Sequence, residues 1–593
     1  MSKSIAFLFN TSDVSAFLAK TEKGENITVF ASGLNTYDAL DKEKIPYKEI
    51  KTYPPLSVTM QHFGKAHRIA LQFDPTIYAS VRNFFLEVFR SSYLAFMIIK
   101  KHRSSVIYVS NIINESLYRK YHAETFDLLP QAVIADAELH KIKVVILRRK
   151  RQPGYLLQSF LSQLISDTSH LYKVRHHQSE TKSDQYQKLI VSASDYHLTN
   201  LKNFINQATK KWHVIVLGKA NPQIRKSLHH HVVFANIYRF ISLPMYLFLA
   251  WKQILALITP RFISIPISSQ MLLSPLELKI CERCRSAFSY WRLILIPQGK
   301  LNKLAFKNVI RSISPTTVIA SNGIDNYNRT LLSASQEAHV KDAVIIHHQI
   351  TDGIDIIEER SGIESILFIP SQKLAAMFHK FPGKADIVVT GNPVMDEYYP
   401  LPSFKSPPFH SPLRILFLLC QEHLRFQGEN GKIVLEALLE LKKYPKPVSV
   451  ILRNHPQHPA LLHYFHQQFP FPITERNDTL LQKELLESDV IITQITSAAV
   501  EAILLRKPLI YLNTHSVKNI RNFATSGAAL GVYNISELIP AINSLLEHPT
   551  QLSRQQDKFV STYCGKIDGH ASRRIIKILS REDTKSSPTS TYS

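Results

Sequence analysis

Apolar residues along this chain gather in short runs rich in valine, isoleucine and leucine, separated by longer stretches with helical spacing. Such runs, bounded by polar turns, predict strands buried on both faces, and their alternation with helices predicts parallel sheets covered by helices. In the first third the expected strands are 5–9, 27–31, 106–109 and 143–147, with a long helix, ASVRNFFLEVFRSSYLAFMIIKK, between the second and third. The basic cluster Arg148–Arg151 and the Pro-Gly after it mark the exit from this unit. After a polar stretch (174–186), a second series opens with KLIVSAS, YHLTNLKNFINQATK and HVIVLGK and continues through strands at 316–321, 342–348, 364–370 and 385–391. The segment NPVMDEYYPLPSFKSPPFHSPL, rich in proline and aromatics, reads as a linker. A last series follows, with strands at 414–420, 448–454, 489–494 and 508–513.

The expected fold class is therefore α/β, with two doubly wound Rossmann-like domains facing a cleft (186–395 and 396–580). An additional N-terminal α/β unit (1–185) and a disordered tail (581–593) complete the chain. In open parallel sheets ligands bind beyond the carboxyl ends of the strands. The residues directly after each strand are the ones to search.

Composition narrows the function classes. A length of 593 residues exceeds what one core holds, and 45% hydrophobic with 20% charged residues excludes wholesale disorder. The net charge of +24 suits nucleic acid, an anionic membrane or a phosphorylated substrate. No RNP-like aromatic strand, zinc finger or continuous basic helix is present, so nucleic acid is not an expected partner. Cys281 and Cys284 form a lone CxxC without partner ligands and read as two helix residues. The opening MSKSIAFLFNTSD is too short an apolar run for an export signal and reads as a first strand, so a cytoplasmic location is expected. The apolar segment 236–262 is interrupted by Arg239, Pro244 and Lys252 and does not read as membrane-spanning. Two readings of it stay open: a helix lying on an anionic membrane with Trp251 and Tyr246 at the lipid boundary, or a helix buried in the protein or lining a groove.

Four segments carry candidate chemistry. In SDVIITQITSAAVEAILLRKPLIYL (488–512) a strand ends at Thr493 and Gln494, and Thr496 and Ser497 open a helix. Hydroxyl side chains cap helix N-termini, and free amides there attract phosphate. Glu501 follows Ser497 by one turn on the same face, where a carboxylate can accept both hydroxyls of a ribose. The same pattern fits a capped helix in an ordinary αβ unit. In VILRNHPQHP (450–459), Arg453, Asn454 and His455 stand at the end of a strand, a guanidinium fork and an imidazole placed for phosphate. His455, His458, His463 and His466 come in pairs, but prolines break the helix that would align the first pair and no carboxylate accompanies them. No metal is expected.

In AVIIHHQITDG (343–353), His347, His348 and Asp352 follow a strand and are candidate bases, His348 first; alternatively one histidine fills the core and the other is solvated. In ADIVVTGNPVMDEYYP (385–400), Gly391 allows a tight turn, Pro393 stiffens the exit, and Asn392 is the residue expected to face the cleft.

The 488–512 segment resembles the donor-nucleotide segment of GT-B glycosyltransferases and of UDP-GlcNAc 2-epimerases. That resemblance implies Glu501 for the ribose and Thr496 and Ser497 for the phosphates, with Gln494 among the nucleotide-sugar-binding residues; the glycine common in this turn is absent here. The His-Pro segment is similar to that of CDP-glycerol glycerophosphotransferases, bacterial sialyltransferases and Kdo transferases, which implies His455 at the donor phosphate, with Arg453 and Asn454 among the nucleotide-sugar-binding residues. The strand–histidine loop is similar to one facing the acceptor in surface-carbohydrate and glycerophosphate transferases, although Gly353 stands several residues from His348. The run VTGNPxxD resembles a GT-B hinge, including that of lipid A disaccharide synthase. The resemblances span about 315–515; the first 185 residues contribute nothing to them.

What they imply is a metal-independent glycosyltransferase, without cofactor, that moves a sugar from a UDP- or CMP-linked donor to a surface glycan or lipid-linked acceptor. It would touch the inner membrane face peripherally. The alternatives are a CDP-glycerol-type polyol-phosphate transferase, a sugar-nucleotide 2-epimerase, and, outside enzymes, a nucleic-acid-binding or scaffold protein.

Overall fold

The computed structural model describes residues 4–22, 25–31, 34–50, 56–73, 75–102, 104–111, 128–149, 162, 187–192, 195–218, 222–258, 273–323, 325–346, 365–380, 384–402, 409–419, 429–454, 469–476, 481–494, 496–514 and 523–580. They form three all-parallel sheets. The first holds β1 (Ser4–Leu8), β2 (Ile27–Ala31), β3 (Tyr47–Glu49), β4 (Val106–Asn111) and β5 (Lys143–Arg149) in the order β3-β2-β1-β4-β5. The second holds β6 (Lys188–Ser192), β7 (His213–Leu217), β8 (Val233–Ala235), β9 (Thr317–Ala320), β10 (Asp342–Ile346), β11 (Ser365–Ile369) and β12 (Ala385–Val389), ordered β12-β11-β10-β9-β6-β7-β8. The third holds β13 (Leu413–Leu418), β14 (Val448–Arg453), β15 (Ile473–Arg476), β16 (Val490–Thr493), β17 (Leu509–Leu512) and β18 (Leu530–Val532), ordered β15-β14-β13-β16-β17-β18.

All three are wound alike. The first strand is central, the next two extend to one side, and the fourth returns to pair with the first on its other side. This is the Rossmann-like winding expected from the alternating pattern, and it gives each sheet one point where the strand order reverses.

The chain forms two compact units. Residues 1–168, 244–300 and 403–558 make the first, and 169–243, 301–402 and 559–593 the second. In the first unit the long apolar pattern becomes the helix Tyr78–His102, buried along most of its length. Phe84 meets Phe288 and Trp291 at centroid distances of 5.4 and 5.2 Å, in edge-to-face contacts. The helix Pro275–Arg283 opens with a reciprocal capping box between Ser274 and Glu277, as the spelling S-x-x-E dictates. It is pinned by Lys65 to Glu277 (2.8 Å) and by Arg283 to Gln131 (3.0 Å) and Glu138 (2.8 Å). Cys281 lies in this helix and Cys284 is its C-cap. Both are fully buried, and burial pushes the Cys284 thiol up to about 12.

In the second unit Leu189, Val191, Phe204, Val214, Val216, Ile319, Val344 and Phe368 share a core with Ile575 and Leu579. The latter two belong to the helix Ala571–Leu579, whose residues fall within the expected 396–580 domain. It covers the second sheet instead, because its apolar face matches that core and Asp396 receives its N-terminus. The Asp396 carboxylate accepts from the amides of Ala571 and Ser572 (both 2.9 Å) and from the Ser572 hydroxyl (2.7 Å). Each large apolar side chain so buried contributes roughly 1.5–3 kcal/mol.

The helix Leu243–Ile258 settles part of the reading of 236–262. Leu243, Leu247, Phe248 and Trp251 are exposed, whereas Tyr246, expected beside Trp251 at a lipid boundary, is buried with Ala250. Among the described residues no helix is long and apolar enough to cross a membrane.

Candidate functional site

The reversal point of the third sheet lies between β13 and β16. Past β16 the chain turns through Gln494, Thr496 and Ser497 into the short helix Ala498–Leu504. Gln494 and Thr496 are buried. Thr496 Oγ1 accepts from the Ala498 amide at 3.3 Å, while Ser497, the N-cap residue, makes no side-chain capping bond. Thr496 therefore does the local capping that the sequence reading shared between both hydroxyls. Glu501, half-buried, sits in the first turn of this helix, four residues past Ser497 and on the same face.

Beside β13 on the other side, β14 ends in Arg453 and Asn454. Arg453, expected to present its fork to a phosphate, is paired with Glu484 (2.6 Å), a carboxylate that is 1% exposed on the helix Leu481–Glu487. A buried carboxylate needs a cation, and Arg453 is placed to supply it. Asn454 is buried and donates to Glu475 Oε1 at 2.5 Å. Both residues thus hold the β14 edge to its neighbours. His455 and the other histidines of that segment lie outside the described residues.

In the second unit β10 is described as far as Ile346; His347, His348 and Asp352 lie outside the described residues. Gly391 has φ +84, a conformation L side chains rarely adopt, and a Cβ there would meet Arg574 Nη2 at 2.8 Å. Arg574 in turn donates through Nε to Thr390 O (2.6 Å) and through Nη1 to both oxygens of Asp568 (2.8 Å each). Asn392 is buried, and its Oδ1 caps the turn Pro393–Tyr398 by accepting from the Val394 amide at 3.1 Å. The GNPxxD run thus forms a seat for the helix Ala571–Leu579.

A polar cluster that the sequence reading passed over stands at the reversal point of the second sheet, between β6 and β9. Ser192 Oγ donates to Asn328 Oδ1 (2.8 Å), and Asn328 Nδ2 donates to Asp325 Oδ2 (2.7 Å) and Ser321 Oγ (3.2 Å). Asp325 caps the helix Asn326–Glu337 by accepting from the Asn328 amide (2.7 Å), and its own amide donates to Asn322 Oδ1 (3.0 Å). Burial raises the Asp325 carboxyl above the ordinary aspartate range, against the pull of these donors. The signal was present in the sequence: the strand TTVIA runs directly into SNGID. In the first sheet the equivalent point is closed by Asp13. Its carboxylate accepts from the Phe9 amide (3.0 Å), Asn10 Nδ2 (3.1 Å) and Ser110 Oγ (2.7 Å).

No family model and no curated protein matches this chain. Solved structures do. It is similar to the UDP-GlcNAc 2-epimerase from Neisseria meningitidis bound to UDP-GlcNAc, at 14% identity and TM-score 0.41 over 67% of this chain and 100% of that one. The UDP-GlcNAc 2-epimerase from Methanocaldococcus jannaschii has the same figures. A spinosyn rhamnosyltransferase complexed with thymidine diphosphate is similar at 14% identity and TM-score 0.36, over 66% of this chain and 100% of that one.

Proposed function

We propose that this protein is a glycosyltransferase that takes a sugar from a UDP- or CMP-linked donor and moves it to a surface glycan or lipid-linked acceptor without a bound metal. The observation that supports this most is the reversal point of the third sheet. Polar Gln494, Thr496 and Ser497 follow β16 there, and a carboxylate, Glu501, stands one helical turn further on the same face. In this reading Glu501 accepts the ribose hydroxyls, and the Thr496 and Ser497 hydroxyls donate to the phosphates. His455 adds a donor to the departing phosphate, and Arg453 acts through Glu484 by fixing the β14 edge. The acceptor hydroxyl attacks the anomeric carbon as the bond from that carbon to the phosphate oxygen breaks. The nucleotide leaves with the electron pair, and the hydroxyl proton goes to His348 as the first candidate base, with His347 and Asp352 as the other candidates.

The acceptor is proposed to reside at the inner membrane face. The exposed Leu243, Leu247, Phe248 and Trp251 and the net charge of +24 support this.

Thermal melting with UDP, CMP, CDP, GDP and ADP, on wild type and Glu501→Ala, tests the donor half. One pyrimidine nucleotide should stabilise the wild type, by about 2.7 kcal/mol at a hundredfold excess over Kd, and should stabilise the variant much less. The unliganded variant should melt close to wild type, since Glu501 is only half-buried. No stabilisation by any nucleotide at several millimolar would overturn the reading.

A further inference from the structure

Between the helix Pro222–Ser227 and β8, one exposed turn carries His229, His230 and His231 in succession. The turn is closed by the Val232 amide donating to His229 O at 3.0 Å. Its rings lie against one another, with centroids 4.3 Å apart for His229 and His230, 4.0 Å for His230 and His231, and 5.0 Å for His229 and His231. One ring nitrogen from each lies within 4.8 Å of the other two. The turn is also anchored. The His229 amide donates to Asn206 Oδ1 (2.7 Å), and Asn206 Nδ2 donates to Ser227 O (3.2 Å), which ties the incoming side of the turn to the helix Asp195–Ala208. The His231 amide reaches His229 Nδ1 at 3.3 Å and steadies that ring.

We propose that His229, His230 and His231 form a binding site for one borderline divalent transition ion, of the zinc, nickel or copper(II) class, with water completing its coordination. Imidazole nitrogens bind such ions at about 2.0–2.1 Å. The three rings must therefore close in by an ångström or more, which exposed side chains do by rotation without disturbing a core. The group holds no carboxylate, so magnesium, calcium and manganese, which favour oxygen, are poor occupants. The turn enters β8 at its amino end, whereas Ser192, Ser321 and Asp325 lie at the carboxyl edge of the same parallel sheet. The ion would therefore take no part in chemistry at that edge, and the proposal stands independently of the donor-site reading.

Calorimetric titration of the full, untagged, metal-free chain with Zn²⁺ tests it, alongside the variant His229→Ala/His230→Ala/His231→Ala. The double variant His230→Ala/His231→Ala keeps the anchored His229 and guards against loss of the turn. Wild type should bind one equivalent that both variants bind at least about tenfold more weakly, with unliganded melting unchanged. Cu²⁺ added to wild type should give an electron paramagnetic resonance spectrum with coupling to several imidazole nitrogens, and this signature should be lost in the triple variant. Equal stoichiometry and affinity in wild type and triple variant, or identical copper spectra, would overturn the site.

Discussion

His62 packs against the rings of Phe89 and Tyr93, 5.9 and 6.0 Å away, among Arg90, Lys65 and Glu277. Burial lowers it from its ordinary value of 6.5 to about 4; Glu277 opposes the shift, and Arg90 and Lys65 add to it. Between those two values the unfolded chain binds a proton at this position and the folded chain does not. Stability should therefore fall as pH drops from 6.5 towards 4, and this group should add no further slope below that. His62→Gln should flatten urea-unfolding free energy across that window, and an unchanged slope would assign the acid sensitivity elsewhere.

Individual residues were legible in the sequence by type and by place along a strand, but not by partner. Arg453 was found at the end of β14, yet Glu484 was needed to see what its guanidinium does, and that carboxylate lies on a different helix. Asp325 failed the other way. Its neighbours Ser192 and Asn328 come together only when β6 and β9 pair.

At the scale of elements, the strands read from apolar runs include every interior strand of the three sheets and two edge strands, β5 and β12. Those not read were β3, β8, β15 and β18, each of three or four residues and each at a sheet edge. An edge strand of three or four residues, covered on fewer sides, leaves no long apolar run to read, whereas the edge strands β5 and β12 have seven and five residues. The helix Ala571–Leu579 was not read from the sequence, and the expected 396–580 bound grouped its residues with the third sheet, because the choice of sheet rests on Asp396 and on the core around Leu189. Asp396→Ala should cost the second unit about 1–2 kcal/mol, the usual range for a lost N-terminal cap, and denaturant melts of the two proteins would measure it. Asp396→Asn, which keeps an acceptor oxygen, should lose less.

For the whole molecule, the proposed membrane contact would draw on the excess of 71 basic over 47 acidic side chains at long range and on the exposed Trp251, Phe248 and Leu247 at short range. Both act in series if the protein sits on lipid. It should co-sediment with phosphatidylglycerol vesicles at low salt, more weakly at high salt, and hardly at all with phosphatidylcholine. Trp251→Glu should weaken the first of these while leaving melting unchanged. Equal sedimentation of wild type and Trp251→Glu would separate the charge from the helix.

The interleaved path of the chain also bears on how it is made. The second sheet begins at Lys188, yet its core is not closed until Ile575 and Leu579 arrive. During synthesis on the ribosome, the third sheet can form while the second still waits, its core partly covered by the helix Asp195–Ala208 but lacking Ile575 and Leu579. A premature stop between Val532 and Ala571 would then leave a product with a finished third sheet and an incompletely covered second one, a form for chaperones and proteases.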